Sequence, residues 1–294
     1  MIIDLLKSKG IKDSSIKLYL SNLKRLNNNN DIKTLTFLKN SKKVLDFINN
    51  KSENTKRTYL ISICTVLNLD PKYKKNYDEY YKLLKESNGL LKNNTTKSEK
   101  QEENWMEQDE ITSIYKNIES EVEKFRTKKK LNESEYNILL NYVILSIYTL
   151  IPPRRSLDYI KMLIGNDTNK DFNYIDINDS KFIFNNFKTA GTYKTQIIDI
   201  PNNLMSVIKL YLTKRKGIKS KLPFLVNFKG EPLTTSSQMT RILNKIFNKK
   251  VSVSMLRNMF LTNKYKDINK EKIDDATAMG TSSSNADNQY IKLD

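Results

Sequence analysis

The chain has no histidine and a single cysteine, Cys64, among 294 residues. The first absence removes the side chain that most often moves protons near neutral pH. The two together exclude a zinc site of the Cys/His kind, and one cysteine cannot form an internal disulfide. Cys64 falls in the apolar stripe Leu60, Ile63, Cys64, Leu67, which reads as core. Glycine and proline are scarce, 7 and 6, so tight turns are few and mostly helix is expected. No apolar run is long enough to span a bilayer. The strongest, Ile138 to Ile151, is interrupted by Asn141, Ser146 and Thr149 and reads as a buried helix. The opening residues, Met1 to Lys7, are too short an apolar stretch and too soon charged for a secretory signal. An intracellular protein without a membrane partner is expected.

What the chain does have is positive charge. Lys and Arg number 51 against 33 Asp and Glu, giving a formal net charge of +18 and a pI near 9.6. Such an excess calls for a polyanion, because cations that neutralise phosphates release counterions and bind strongly. A membrane surface or a ribosome-like role would use the same charge. The 38% of hydrophobic residues is enough to build a core, so this is not a disordered basic tail.

Periodicity divides the chain. Ile16, Tyr19, Leu20 and Leu23 share a helical face over 14–26, with Asp13 or Ser14 as its N-cap. Val44, Leu45 and Ile48 mark a second helix. A third opens at Ser52 and carries Tyr59, Leu60, Ile63 and Leu67 as its stripe. A fourth starts at Pro71 and ends near Gly89. Residues 1–90 therefore read as a small helical domain, with Lys56 and Arg57 among the cations of its outer faces. Residues 91–104 are polar and read as a linker. From Trp105 a second domain follows, 105–294. It has a helix from about Asp109, the buried helix 133–150, a break at Pro152-Pro153 and a helix from Arg154 onward. The period then changes to that of strands at 174–177, 181–184 and 196–200, an antiparallel three-stranded sheet. Helices are expected at 202–215, 236–248, 252–265, 270–279 and about 284–291. The fold class is mainly α with one small sheet.

Five stretches carry potential chemistry. Arg155-Ser-Leu-Asp158 places a guanidinium at a helix start with a carboxylate one turn on; Arg154 is the alternative register. A guanidinium fork can grip two phosphate oxygens, which lysine cannot copy. Lys188 lies at the tip between the second and third strands, with Lys194 across the turn as its competitor. Ser254-Met-Leu-Arg257 opens a helix. Met279-Gly280-Thr281 follows, and Tyr290 comes nine residues after Thr281. Each has an ordinary reading beside the chemical one. The arginines can be surface groups beside a proline turn, the lysines solvated, and Ser254 a helix N-cap. Tyr290 is one tyrosine among 16.

Taken in order and spacing, these stretches resemble the tyrosine recombinase (phage integrase) family over nearly the whole chain. The resemblance implies a site-specific DNA recombinase of a virus or mobile element. Its helical core-binding domain and catalytic domain would clamp duplex DNA, with Lys56, Arg57, Arg154 and Lys194 among the DNA contacts. It makes Tyr290 the nucleophile, forming a 3′-phosphotyrosine. Arg155 and Arg257 become the phosphate clamp, Lys188 the acid for the departing 5′-oxygen, and Asp158 a supporting residue. Ser254 and Thr281 stand where the family usually has histidine, which implies a slower enzyme. No metal or cofactor is required by such chemistry. The chain would act where the DNA is, in a host nucleus or cytoplasm. It would be a monomer in free solution and a homotetramer on paired DNA sites, since the four residues after Tyr290 are too few for a docking helix. Two alternatives share the pattern. One is DNA relaxation of the type IB topoisomerase kind, and the other is a noncatalytic DNA-binding descendant.

Overall fold

Leu6, Ile16, Leu23, Val44, Ile48, Leu60, Ile63 and Tyr80 recur at helical spacing and are all buried in one cluster. The helices that carry them are α1 (Ile2–Ser8), α2 (Asp13–Leu26), α3 (Ser41–Asn49), α4 (Glu53–Leu67) and α5 (Lys74–Lys92). The computed structural model describes residues 2–92, 96–215 and 221–291. The chain divides into two compact units, Met1–Thr96 and Lys97–Asp294. Residue 1, residues 93–95 of the expected linker and residues 292–294 after Tyr290 lie outside the described residues.

In the first unit α4 is central and packs on α2, α3 and α5. Tyr59 is buried with the rest of the expected stripe, and burial on α4 extends beyond it to Ser62 and Val66. The buried Ser62 hydroxyl is satisfied by Asn22 Nδ2 at 3.0 Å, and the Tyr80 hydroxyl donates to the Leu38 carbonyl at 2.9 Å. Cys64 is buried, and loss of solvation pushes its thiol up to about 12, so it stays protonated and inert. Three boundaries differ from expectation. The N-cap of α2 is Lys12, without a side-chain cap, and Asp13 is already in the first turn. A short 3₁₀ turn, Pro71–Tyr73, precedes α5. Helix α5 then runs through Gly89 to Lys92, the glycine costing less than the flanking turns gain. Lys56 and Arg57 are half-buried on α4, and Arg57 Nε donates to Asn88 Oδ1 of α5.

The second unit begins within the stretch expected as a linker. Residues Glu99–Asn104 form α6, held by a capping box between Ser98 and Gln101. It is pinned to the unit by the Lys250 backbone N–H donating to Asn104 Oδ1 at 2.7 Å. Helix α7 (Gln108–Glu123) leads to α8 (Glu133–Thr149). Asn132 and Glu135 cap α8 in the same reciprocal way, and ten of its residues from Tyr136 to Tyr148 are buried. A helix apolar on nearly every side belongs at the centre, and α7, α11 (Asn202–Lys214) and α12 (Ser236–Phe247) surround it.

After Pro152-Pro153 comes α9 (Ser156–Ile160), then the sheet. It has four strands in the order β1-β2-β3-β4, not three. They are β1 (Met162–Ile164), β2 (Asn173–Asp176), β3 (Lys181–Phe184) and β4 (Gln196–Asp199). The added strand, β1, pairs parallel to β2, while β2–β3 and β3–β4 are antiparallel. Its three apolar residues follow the apolar end of α9 after only Lys161, and periodicity cannot separate so short a strand from helix. Helix α10 (Ala190–Tyr193) interrupts the β3–β4 connection. The two helices expected at 252–265 and 270–279 are one, α13 (Val253–Ala278). Among the described residues no helix is long and apolar enough to cross a membrane.

Asn173, 1% exposed, is the polar joint of this unit. Its Nδ2 donates to the Asp158 carbonyl at 2.9 Å and the Asn186 carbonyl at 3.0 Å, while its Oδ1 accepts from the Asn185 and Asn186 backbone N–H groups at 2.9 and 2.8 Å. One side chain thus ties the end of α9 to the start of the β3–β4 connection. Asn173→Ala removes the side-chain partner of four backbone groups in this buried and part-buried joint. It should lower unfolding free energy by about 2–4 kcal/mol in urea titration; a loss under about 0.5 kcal/mol would show that the joint is dispensable.

Candidate active site

A cavity of about 330 Å³ opens between the start of α9, the β3–β4 connection and α13. Arg154, Arg155 and Arg257 line it, with Asp158 as the sole carboxylate of the lining. Its other walls are Ile151, Pro152, Pro153, Phe187, Thr189, Tyr193, Gln196 and Ile198. The strands explain how the parts meet. Pro152 and Pro153 end α8 and turn the chain so that Arg155 becomes the N-cap of α9 with extended backbone, φ −69° and ψ 148°. Helix α9 is only five residues long, so the partial positive charge its start adds beside Arg155 is small.

The three arginines are not equivalent. Arg154 is engaged: its Nε donates to Asp158 Oδ2 at 3.2 Å and its Nη1 to Gln196 Oε1 at 2.8 Å. Its guanidinium also lies over the Phe184 ring at 3.8 Å. Arg155 and Arg257 are half-buried, and among the described residues neither side chain has a hydrogen-bond partner. Two unspent guanidinium forks facing one cavity are an anion site. Asp158 is 3% exposed. Burial raises its carboxyl above the ordinary value, and the Arg154 and Arg155 charges offset part of that. Behind it, Tyr148 and Tyr159 are also pushed up by burial and remain neutral phenols.

The other expected residues divide. Lys188 is exposed between Phe187 and Thr189, both of which line the cavity. It lies, as expected, in the connection between the antiparallel β3 and β4, just before α10. Lys194 has φ 57°, and its Nζ turns back to donate to the Gly191 carbonyl at 3.0 Å. Ser254 is exposed in the first turn of α13. The N-cap there is Ser252, whose hydroxyl accepts from the Met255 N–H at 3.2 Å, so Ser254 is not the cap. Neither Ser254 nor Thr281 lines the cavity. Met279-Gly280-Thr281 terminates α13: the Gly280 N–H donates to the Thr277 carbonyl at 3.0 Å and the Thr281 N–H to the Ala276 carbonyl at 2.9 Å. This is a Schellman stop, and Gly280 supplies its φ of 71°.

Tyr290 ends the π-helical turn Ala286–Tyr290 and is 58% exposed. That turn, with α14 (Ser283–Asn285), folds back along α13 and is fastened by Lys272 Nζ donating to Asp287 Oδ1 at 2.9 Å. Lys272 stands roughly 22 Å along the helix axis from Arg257, at about 1.5 Å per residue. Tyr290 is not part of the cavity lining; the tyrosine that is there, exposed, is Tyr193. Phe187, Tyr193 and Gln196 went unread in the sequence as site residues. An aromatic in the polar run Asn185-Asn186-Phe187 was a signal for the first. Nothing in the period-2 pattern of 196–200 marked Gln196.

No family model matches the chain, and no curated protein or solved structure is significantly similar to it.

The raised Asp158 carboxyl has a definite consequence for stability. A carboxyl whose folded pKa exceeds its unfolded one favours the folded state most when protonated, and that contribution is lost as pH rises through the folded value. The unfolding free energy of the natural protein minus that of Asp158→Asn should therefore decline as pH is raised from below the ordinary 3.8 toward neutrality. Parallel urea titrations across that range measure it. A difference that grows with pH would mean that the Arg154 bridge outweighs burial.

Proposed function

We propose that the chain is a DNA strand-transfer enzyme of the tyrosine recombinase kind, with the cavity of Arg155 and Arg257 as the seat of the scissile phosphate. The observation that carries the reading is that cavity: three guanidiniums against one carboxylate, two of them without a hydrogen-bond partner among the described residues, beside a lysine-bearing connection. The guanidiniums would stabilise the charge that builds on the nonbridging oxygens of a five-coordinate phosphorus. The Tyr290 oxygen attacks phosphorus, the bond to the 5′-oxygen breaks, and Lys188 supplies that oxygen with its proton. The phenolic proton passes to solvent. A 3′-phosphotyrosine and a free 5′-hydroxyl result, and a 5′-hydroxyl from a partner strand reverses the step. Because bond energy is kept in the covalent link, the step calls on no nucleotide or metal. Four copies on paired sites would complete an exchange.

The reading requires Tyr290 to move. Between Leu261 and Asp275 no side chain of α13 is buried, so this half of the helix gains little from packing, and unsupported helices of such length are marginal in water. Lys266-Asp-Ile-Asn269, where the pattern suggested a break between two helices, is the natural place for it to fold back. In the alternative, Tyr290 stays where it is exposed and the chain binds DNA without cutting it.

The test is covalent capture. The full chain is incubated with a pool of randomised nicked duplexes, denatured, and searched for attached DNA. An adduct that maps to Tyr290, disappears in Tyr290→Phe, and is lost in Arg155→Ala and Arg257→Ala with most DNA affinity retained, is the expected result. An adduct at Tyr193 would overturn the choice of nucleophile, and no adduct would leave the noncatalytic reading. The charge of +18 also predicts salt-sensitive binding. Duplex affinity should fall by about 10³ or more between roughly 50 and 200 mM salt if six or more phosphates are contacted. A flat response in a fluorescence titration would exclude an extended duplex contact.

A further inference from the structure

We propose that Arg154 is a positioning residue: it sets the β3–β4 connection, and with it Lys188, against the cavity of Arg155 and Arg257. The inference rests on the reading of that cavity as a strand-cleavage site. Its basis is where the guanidinium is spent. Arg154 reaches Asp158 on α9 and, at the same time, both ends of the connection: Gln196 at the start of β4 through a 2.8 Å hydrogen bond, and Phe184 at the end of β3 through a 3.8 Å ring contact. Phe187, the residue before Lys188, lies 5.0 Å from the same group. The Arg154 side chain is 16% exposed and its partner Asp158 4%. Its fork is therefore turned into the protein, whereas those of Arg155 and Arg257 have no hydrogen-bond partner among the described residues.

Lys188 has nothing of its own to hold it. Its side chain is exposed and, among the described residues, without a hydrogen-bond partner. Where its ammonium stands is set by the backbone of residues 185–195. Asn173 grips the start of that segment from the sheet side, and Arg154 grips Phe184, Phe187 and Gln196 from the cavity side. Proton transfer needs donor and acceptor within about 2.6–3.2 Å, so slack in the connection is lost rate at the 5′-oxygen. Lysine at 154 would keep the charge but not the planar group that bonds in two directions while lying on a ring.

The experiment separates leaving-group protonation from phosphate stabilisation. The duplex recovered by covalent capture is made with its ordinary scissile phosphodiester and with sulfur in place of the bridging 5′-oxygen; a thiolate departs without needing a proton. Arg154→Ala and Arg154→Lys should cleave the ordinary duplex about 10²-fold or more slowly and the sulfur duplex at near the natural rate, as should Lys188→Ala. Arg155→Ala should be slow on both. Gln196→Ala, which removes a single bond to Arg154, guards against misfolding of the arginine variants and should show a smaller loss with the same rescue. Loss on both duplexes in the Arg154 and Gln196 variants, with Lys188→Ala rescued, overturns the positioning role and leaves the reading of the site standing. If the natural protein cuts neither duplex, both fall.

Discussion

Like charges do not gather in a fold unless something holds them, and here that something is Asp158. Three guanidiniums line one cavity of about 330 Å³ with a single carboxylate among them. The carboxylate is buried, at a cost visible in its raised proton affinity. In return it fixes Arg154, while its own backbone carbonyl accepts from Asn173. Through these two contacts the start of α9, the end of β3, the start of β4 and the connection between them become one rigid piece. Arg155 is the next residue in the chain after Arg154, so its direction follows from that piece. Arg257 arrives separately, from the first turns of α13, which are anchored by the buried Val253, Met255, Leu256 and Met259.

Helices with a strong apolar period were readable from residue order alone: α2, α3, α4, α7, α8, α11 and α12 sit where spacing and capping residues placed them, within a few positions. The exceptions have physical causes. β1 is three residues long and follows the apolar end of α9 after only Lys161. α6 is polar on most sides and is held by a capping box and one bond from Lys250, neither of which leaves a periodic trace. α13 continues through Lys266-Asp-Ile-Asn269 because no proline or glycine stands there to stop it; the stop comes at Gly280, where positive φ is needed. At the site, the arginines could be found because their chemistry is scarce and their spacing informative. The division of labour among them could not. Which of two adjacent arginines turns inward depends on Phe184 and Gln196, about 30 and 42 residues away in the chain, and single-sequence patterns carry no such pairing.

The absence of histidine shifts the chemical burden. A phosphate-transfer site must gather negative charge, then deliver a proton to the oxygen that leaves. Guanidiniums perform the first task without changing protonation state. For the second, the connection that walls the cavity carries two lysines, Lys188 and Lys194, and Lys194 is turned back onto the Gly191 carbonyl. Under the proposed function, that leaves the less restrained of the two lysines for the step that most needs geometry. A site built this way depends on the stiffness of a loop, and the buried contacts of Asn173 and Arg154 supply it.

The tyrosine poses the opposite problem. Its segment is fastened to the last third of α13 by an exposed ion pair, Lys272 to Asp287, and the apolar side chains buried there are small, Ala276 on the helix and Ala286 on the segment. Exposed pairs contribute about 0–1 kcal/mol, and two alanines bury little apolar surface. Leu261, Tyr265, Ile268 and Met279 meanwhile stay exposed near one face of the same helix, a state that water does not favour. The arrangement is therefore held weakly and leaves apolar surface uncovered. Any contact that covers that surface or bends α13 near Lys266 needs to supply only a few kcal/mol to displace the segment. Under the proposed function, duplex binding is where that energy would come from, since the cavity concentrates positive charge that a phosphate would neutralise. The proposed nucleophile would then be withheld from the arginines until a phosphate is in place, and hydrolysis without a partner strand would be limited by the same weak fastening that permits release.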